Sequence, residues 1–545
     1  MEKKQARQAM DPDVLERRGR SHAGRRKAKR PAGRALKFRE IAPILPLMAA
    51  IGIVPLIVFL KVTPVPPAYR QFWVTDYDFD FFSYYKAQLI LACAGLVLAA
   101  ILVLAWRREL PRKKNILYIP LGVYTVMLVA STLASRDPTI ALGGYFDRAE
   151  GMWVLLAYVA LLVGTSLLVS DARQAGLILA VWAAALCLIS ILGIFQFFGL
   201  DFFSSPFGRL LIVPVQDRQI APLLTFNFPI HSIYATLYNP DNVASMLALA
   251  FPVAAAGFIL ARTLKRQVAF GVLAGLLCLT LVGANGRAGW IAALLAVLLL
   301  VWLSMRKGVP GWWMRAGILA LVVLLEFGSL NYFSGSALSS KVGGLVAETG
   351  KALESGTGRK NAKAAPTRPG TIAGAAQLPP AGIAEQLIRK YGRLGTGRGY
   401  IWIRSLQMAG KTVLLGGGPD TFALYFPHND PYLDKSFFGQ AGVFIDKPHN
   451  MYLQLWLNLG GLATLAFLAL LVLHAVRTLR VLKRADLAGM PGMLAAGLFA
   501  GWAGYLLAAF FYDSVVSVAA AFWIVFGLGM AMNDMLEQAG NREAN

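Results

Sequence analysis

The stretch FIDKPHNMYLQLW, residues 444–456, marks the point where a long polar segment gives way to a sustained apolar run. About 20 mostly apolar residues can cross the hydrocarbon core of a bilayer as a helix, so this transition predicts entry into a membrane. His449 stands at the boundary, and imidazole is the side chain best suited to exchange a proton near neutral pH. The stretch therefore predicts a membrane-spanning helix and a candidate general base at the membrane surface.

The composition extends this prediction to the whole chain. Of its 545 residues, 57% are hydrophobic and 15% are charged, and the mean hydropathy is +0.56. Soluble domains are nearer half apolar and a quarter charged, so we expect an all-α integral membrane protein. Cys93, Cys187 and Cys278 lie in separate apolar runs, which predicts neither a disulfide framework nor a metal cluster, and no cofactor is indicated.

Positive charge is concentrated in the N-terminal segment and in short loops. The chain has a net charge of +24, and residues 1–40 hold a dense series of arginines and lysines. These residues do not form one face with interleaved aromatic side chains, so no nucleic-acid partner is expected. Residues 1–40 are instead predicted to be a basic cytoplasmic tail that lies against anionic membrane lipid.

Apolar runs of about 17 to 25 residues predict about twelve transmembrane helices. Their predicted limits are 41–62, 87–106, 115–134, 152–170, 177–199, 242–261, 268–284, 290–305, 315–335, 451–473, 491–511 and 517–533. The first nine spans lie within residues 41–335 and the last three within residues 451–533. A large loop, residues 336–450, separates the two groups.

Lysine and arginine are concentrated in every second short loop between these spans. Because positively charged loops are retained on the cytoplasmic side, both termini are predicted to be cytoplasmic, with residues 534–545 as a short tail. The protein is then a multi-pass protein of the cytoplasmic (inner) membrane, and loop 336–450 lies on the outer face. Residues 344–383, rich in Gly, Ala, Pro, Lys and Thr, predict a flexible insertion, and residues 384–450 an ordered part that carries the candidate site.

Two arginines on the predicted outer face are candidates for binding phosphate. Arg398 precedes a predicted short helix, residues 400–409, where backbone amides and the helix dipole favour an anion. That helix carries apolar residues on more than one side and is expected to lie along the membrane surface. Arg287 lies in a tight turn between the seventh and eighth spans, against the positive-inside bias. A guanidinium can hold phosphate through two hydrogen bonds, but an arginine at lipid headgroups explains Arg398 equally well.

Two histidines compete for the role of general base. His428 shares the His-Asn dipeptide and the predicted outer face with His449, and is the rival candidate. His449 is preferred because the span that follows fixes its depth, and because Gly460-Gly461 would let neighbouring helices approach closely there. The structural alternative is that His449 only caps that span.

Two polar motifs remain open to two interpretations each. The run LGGGPD, residues 415–420, would bring backbone amides such as that of Gly417 near a phosphate, or would simply end the preceding helix. Asp241-Asn242 would line an external cavity or cap the sixth span. Both motifs are therefore candidates for binding substrate and for purely structural roles.

The acidic residues are similarly divided. Glu326 lies inside the ninth span, where an acid is a functional candidate unless it is structurally paired or faces a wet cavity. Asp76, Asp78 and Asp80 alternate with aromatic residues. That spacing fits an extended wall segment better than a set of metal ligands, so no metal site is expected.

Taken together, these motifs resemble those of the O-antigen ligase and polymerase family of polytopic membrane glycosyltransferases. The resemblance rests on Gly397-Arg398 with Trp402, on the LGGGP run with Phe422, and on the residues 447–450 (KPHN) and 452–462. Arg287 resembles the family's arginine at the outer end of a central span, and loop 143–151 with Arg148 resembles an external loop of some members. Ala463 departs from the ligase pattern, which keeps a polymerase open.

The resemblance implies a metal-independent transfer of an undecaprenyl-diphosphate-linked glycan to a hydroxyl acceptor during cell-surface polysaccharide or glycoconjugate assembly. In such a reaction Arg398 and Arg287 hold the donor diphosphate, and His449 is the general base. The expected substrate-binding residues are Trp402, Gly417, Asn450, Asn242 and Arg148. The acceptor is a growing glycan in a polymerase, a lipid or envelope glycan in a ligase, or a protein side chain in a protein O-oligosaccharyltransferase.

The competing class is a transporter or flippase of the same glycan lipids, in which Glu326 and the arginines would line a route. Many transporters show internal symmetry and broken pairs of spans. The sequence indicates neither feature, and its candidate residues cluster on one predicted side of the membrane. An enzyme is therefore the favoured prediction.

Overall fold

The computed structural model describes residues 36–72, 76–111, 115–226, 228–344, 382–428, 430 and 444–544. Most of the predicted tail 1–40 and of the predicted flexible insertion 344–383 lies outside these residues. Helices make up 72% of the structure, and ten described helical stretches are long and apolar enough to span a membrane. The chain is an all-α integral membrane protein.

Nineteen α-helices and one small sheet are used below. The helices are α1 (Phe38–Ile41), α2 (Leu45–Gly52), α3 (Tyr84–Trp106), α4 (Tyr118–Leu133), α5 (Pro138–Gly143), α6 (Met152–Leu168), α7 (Ala172–Phe197), α8 (Pro206–Ile212), α9 (Pro240–Leu260), α10 (Leu264–Gly283), α11 (Arg287–Arg306), α12 (Trp312–Phe333), α13 (Ile383–Tyr391), α14 (Arg398–Ala409), α15 (Phe422–Tyr425), α16 (Met451–Leu459), α17 (Gly461–Arg484), α18 (Met490–Ala508) and α19 (Val516–Ala544). The strands are β1 (Lys61–Pro64) and β2 (Tyr77–Asp80), and 3-10 turns cover Ala42–Ile44, Val54–Leu56, Pro67–Phe72, Phe202–Ser204 and Val215–Leu223.

Helices occupy all twelve positions at which spans were predicted, although α4 and α6 are shorter than the ten candidate spans. The first predicted span, residues 41–62, is too long at its C-terminal end. The helical stretch ends at Leu56, and the chain then enters β1. Pairing with β2 supplies backbone hydrogen bonds that compete with continued helix, so apolar composition alone overestimated this span.

The centre of the bundle is formed by α9, α18 and α19. In an apolar 18-residue stretch of each helix, 94%, 72% and 100% of the residues are buried, whereas only 11% are buried in the corresponding stretch of α12. Small residues allow the close contact, since a Cβ added at Gly501 of α18 would lie 2.1 Å from the Leu249 carbonyl oxygen of α9. The turn between α18 and α19 is thereby held close to the N-terminus of α9, where the candidate site lies.

The predicted tenth span, residues 451–473, is not one continuous helix. It is divided at Gly460 into α16 and α17. Gly460 has a φ of +97°, which glycine adopts without a steric penalty. A Cβ added there would lie 2.4 Å from the Leu414 carbonyl oxygen. The expectation that Gly460-Gly461 admits a neighbouring helix was wrong, because the close contact is with the loop 412–418.

The two strands form an antiparallel hairpin beside the ends of the spans. Lys61 lies opposite Asp80, and Pro64 lies opposite Tyr77. Alternation along β2 buries Asp78 and Asp80 and exposes the two aromatic residues of the strand. The acidic segment therefore has the extended form that its spacing predicted.

The predicted short helix 400–409 corresponds to α14. Tyr400 and Ile401 are buried in a small cluster with Ile388 of α13 and Leu457 of α16, whereas Leu406 is 61% exposed. The expected orientation of this helix along the membrane surface stays a prediction.

The last helix is longer than predicted. α19 continues to Ala544, beyond the predicted end of the span at residue 533. Arg477 of α17 pairs with Asp534 and with Glu537, each at 2.6 Å. These ion pairs hold the extension against α17, so the predicted tail 534–545 is helical up to residue 544.

Candidate functional site

A histidine and an aspartate that are distant in sequence meet between α16 and α18. The Nδ1 atom of His449 is 3.1 Å from Oδ2 of Asp513, whose side chain is only 3% exposed. Burial alone would raise the pKa of Asp513, but the nearby His449 and Lys447 outweigh burial and lower it. An ionised carboxylate only accepts hydrogen bonds, so Nδ1 carries the proton and Nε2 is the nitrogen able to act as a base. A buried carboxylate that orients an imidazole is a recurring arrangement in general-base catalysis.

Two residues that were expected to bind substrate support this pair instead. The Asn450 side chain caps α16 by accepting hydrogen bonds from two amides of the first turn. The backbone N–H of Asn450 donates to Oδ1 of Asp513 at 3.2 Å. Trp402 donates through Nε1 to the Pro448 carbonyl at 3.0 Å. The helix cap is therefore Asn450 rather than His449, and both supporting residues fix the backbone on either side of the histidine.

A cavity of about 560 Å³ opens beside His449. Five carboxylate residues line it: Asp78, Asp80, Asp147, Glu150 and Asp446. Aromatic residues, among them Phe79, Phe82, Tyr238 and Phe444, form other parts of the wall. The volume is in the range of small-molecule binding sites, and the mixture of aromatic surface with a few polar groups is typical of them.

Arg148 also lines this cavity, but its guanidinium is held by protein groups. It donates to the main-chain carbonyl of Asp446 at 2.7 Å and to the Asp446 carboxylate, and it lies 3.7 Å from Asp420. Although burial alone would raise the pKa of Asp446, Arg148 and Lys447 lower it to about 2. Arg148 thus ties the loop 143–151 to the segment before His449, and its expected role in binding substrate stays a prediction.

Three other carboxyl groups on the wall have raised pKa values. Burial and the neighbouring Asp80 raise the pKa of Asp78 to about 7. Burial raises the pKa of Asp147 to about 7, although the positive charge of Arg148 opposes this rise. Burial and the nearby Asp420 raise the pKa of Glu150 to about 7. The wall therefore carries less negative charge at neutral pH than five ordinary carboxylates would.

The two candidate arginines are not among the residues that line this cavity. Arg398 donates through Nη2 to Oδ2 of Asp241 at 2.9 Å, and the next residue, Asn242, does line the cavity. Burial raises the pKa of the Tyr512 phenol, and Arg398 and Arg287 are both close enough to oppose that rise. Because Tyr512 immediately precedes the aspartate that holds His449, both arginines lie beside the histidine site.

The rival histidine lies in different surroundings. The Nε2 atom of His428 is 2.8 Å from the Ala423 carbonyl oxygen, and the ring stacks on Phe444 with centroids 4.2 Å apart. Burial lowers the pKa of His428. His428 is not among the residues that line the cavity. The geometry therefore favours His449 as the base.

Three further candidates have structural contacts. The Gly417 backbone N–H donates to the Leu457 carbonyl oxygen at 2.9 Å, so this glycine run supplies hydrogen bonds to carbonyl groups at the C-terminal end of α16. We therefore do not propose Gly417 as a phosphate ligand. α9 is capped by Asn239, so the Asp-Asn pair that follows is not its cap. Glu326 of α12 faces α10, where its Oε1 lies 3.5 Å from the position of a Cβ added at Gly275, and its Oε2 is buried with no hydrogen-bond partner among the described residues.

Several residues of the site were not singled out from the sequence. Asp513 is the most important of them, and its signal was an acid between two apolar runs, on the same predicted side as His449. Glu150 accepts hydrogen bonds from the Tyr158 and Ser514 hydroxyls. Asp420 accepts from the amide of Tyr145 at 2.7 Å. Only Asp513 could have been found from its position in the sequence, because the roles of Glu150 and Asp420 depend on tertiary contacts.

These features define a class of protein: a multi-pass helical membrane protein with an aspartate-oriented histidine beside a polar cavity and two neighbouring arginines. Among the described residues, no group of three or more His, Cys, Asp or Glu side chains is arranged to hold a metal ion. Residues 272–468 match the family model described as O-Antigen ligase, so this part of the chain is similar to that family. No curated protein and no solved structure matches the chain significantly. The family indicates a membrane enzyme that processes glycans.

Proposed function

We propose that this protein is an inverting glycosyltransferase that moves a polyprenyl-diphosphate-linked glycan to a hydroxyl acceptor on the outer face of the cytoplasmic membrane. The observation that carries the proposal is the contact of His449 Nδ1 with Asp513, which orients the imidazole at the edge of the cavity. The family match supports the same general chemistry.

The charges around His449 divide the site into two parts. Arg398 and Arg287 lie beside Tyr512, and Lys341 interacts electrostatically with Arg287 and Asp241. Guanidinium groups are suited to hold a diphosphate, so the donor is assigned to this basic side. The cavity is lined by carboxyl groups and aromatic rings, with Arg148 and Lys447 as its cations, and this mixture suits the hydroxyls and ring faces of a sugar. The acceptor is assigned to the cavity.

The reaction is a single displacement. The acceptor hydroxyl donates a hydrogen bond to Nε2 of His449, which takes its proton as the oxygen attacks the anomeric carbon. The bond from that carbon to the diphosphate oxygen breaks, and the electron pair stays on the diphosphate. Arg398 and Arg287 stabilise the negative charge that develops there. Asp513 keeps the imidazole in the correct tautomer and stabilises it once protonated.

The acceptor distinguishes a ligase from a polymerase or a protein O-oligosaccharyltransferase. The carboxyl groups and aromatic rings of the cavity wall favour a glycan acceptor, because they can bind sugar hydroxyls and stack on sugar rings. Transfer is proposed to need no metal ion, so EDTA should leave the activity of the purified protein unchanged.

The test uses full-length protein purified in detergent with a lipid-linked glycan donor and a glycan acceptor. His449→Ala is expected to lower the transfer rate by about 10²- to 10⁴-fold, and Arg398→Ala and Arg287→Ala should each reduce turnover of the donor. His428→Ala is the matched control and should retain near-normal activity. Full activity of His449→Ala would refute the mechanism, and loss only in His428→Ala would transfer the base role. Turnover without a second compartment would exclude pure transport.

A further inference from the structure

We infer that a second cavity, remote from His449, binds an anionic phospholipid between the helices. This cavity has a volume of about 500 Å³ and is bounded by α7, α9, α10 and α18. Its wall is almost entirely apolar, with Leu179, Trp182 and Phe270 among its larger side chains. Two arginines, Arg173 and Arg266, are the charged exceptions. The combination of an apolar crevice with a basic end is that of a phospholipid.

Small residues create the crevice. Gly176 and Ala183 of α7 and Ala254 of α9 all line it, so side chains do not fill the space between these helices. Along α7 the lining runs from Arg173 to Leu186, which is about 20 Å at 1.5 Å per helical residue. One leaflet of a bilayer has about 15 Å of hydrocarbon. The crevice is therefore long enough to hold an acyl chain through the depth of a leaflet.

Both arginines lie at the same end of the crevice. Arg173 is the second residue of α7, and Arg266 is the third residue of α10. The first residue of α18, Met490, lines the same end, so three helix N-termini converge there and add positive potential. Arg173 is paired with Asp171 at 2.6 Å, whereas Arg266 is exposed. Arg266 is therefore the main phosphate contact, with Arg173 in support.

This end is on the opposite side of the bundle from the proposed reaction. α9 begins next to Asp241, which pairs with Arg398, and it lines the crevice from Ala250 to Gly257. Gly257 is the lining residue of α9 furthest from Asp241, about 24 Å along the helix. The basic end of the crevice is thus too far away to hold the diphosphate of a donor bound beside Arg398. A phospholipid of the other leaflet fits its place, its apolar wall and its charge, since basic pockets between spans bind anionic headgroups.

The experiment compares retention of phosphatidylglycerol and phosphatidylcholine, with identical acyl chains, on delipidated full-length protein by native mass spectrometry. Wild-type protein is expected to retain phosphatidylglycerol preferentially. Arg173→Ala with Arg266→Ala should reduce that preference by about tenfold or more, the effect expected for lost hydrogen bonds to a charged group. Arg306→Ala removes an exposed arginine that does not line the crevice and serves as the charge control.

A second pair of variants tests the crevice without changing charge. Ala183→Trp fills the crevice and should lower retention of phosphatidylglycerol, whereas Ala184→Trp, one residue further along α7 and exposed, should not. Equal retention of the two lipids by wild-type protein would overturn the inference. So would unchanged retention in Ala183→Trp, which decides the question if the double arginine variant fails to fold. The lipid site is independent of the transfer reaction, so loss of lipid preference with normal transfer remains consistent with both.

Discussion

Replacing Asp513 by asparagine removes the charge behind His449 while keeping nearly the same side-chain shape. The variant loses the carboxylate oxygen that lies 3.1 Å from Nδ1. It can still accept the hydrogen bond from the Asn450 amide through its remaining carbonyl oxygen. The substitution therefore tests the orientation and stabilisation of the imidazole, with little effect expected on the fold.

The magnitude follows from that contact. A hydrogen bond to a charged group contributes about 1.5–3 kcal/mol, and about 1.4 kcal/mol of activation free energy is a factor of ten in rate. Asp513→Asn should therefore lower kcat by about 10- to 150-fold. Removal of the base itself should cost more, about 10²- to 10⁴-fold.

The assay is transfer of glycan from a lipid-linked donor by purified protein, measured across pH for Asp513→Asn, His449→Ala and the double variant. Because Asp513 acts only through His449, the double variant should be no slower than His449→Ala alone. Asp534→Asn is the matched control, since Asp534 also pairs with a cation but lies against α17 at the far end of α19. An unchanged kcat in Asp513→Asn, or additive losses in the double variant, would refute the reasoning.

Three further predictions concern the framework. Gly460→Ala should destabilise the protein by at least about 1–2 kcal/mol because of the positive φ alone, and by more because of the contact with Leu414. Thermal unfolding in detergent measures this loss. Gly95→Ala, where an added Cβ meets open space, is the control and should be near neutral, so equal destabilisation of the two variants would contradict the packing at the helix break. Asn450→Ala removes the cap of α16 and should cost about 0.5–2 kcal/mol in the same measurement, so an unchanged melting temperature would argue against the cap. The pKa of Asp78 is raised to about 7, so its contribution to stability is present below about pH 4 and is lost as the pH rises through 7. Wild-type protein should therefore lose stability between pH 5 and 8 more steeply than Asp78→Asn, and identical slopes would disprove this.

The positions of the membrane helices could be predicted from the sequence because about 20 apolar residues have few stable alternatives in a bilayer. The exceptions are informative. The break between α16 and α17 at Gly460 depends on the loop that contacts it, and apolar composition does not report such a contact. The extension of α19 beyond residue 533 depends on ion pairs with Arg477, whose partners are 57 and 60 residues away.

The candidate site shows the same division. His449 could be chosen from its place at a polar-to-apolar transition and from the motif around it. The roles of Trp402 and Asn450 could not, because they form hydrogen bonds within the protein that only the folded backbone defines. The ion pairs of Arg148 could not be predicted either, since its carboxylate partners lie in distant segments.

The sequence by itself determined that this chain is an α-helical membrane protein and that a histidine stands where a polar loop meets an apolar run. Both follow from local pattern, because the bilayer imposes a length on every span and a boundary on every loop. Only the tertiary structure decided that Asp513 lies behind His449, that the two arginines gather beside it, and that carboxylates line the adjoining cavity. These depend on contacts between helices far apart in the chain, which packing fixes and local composition does not.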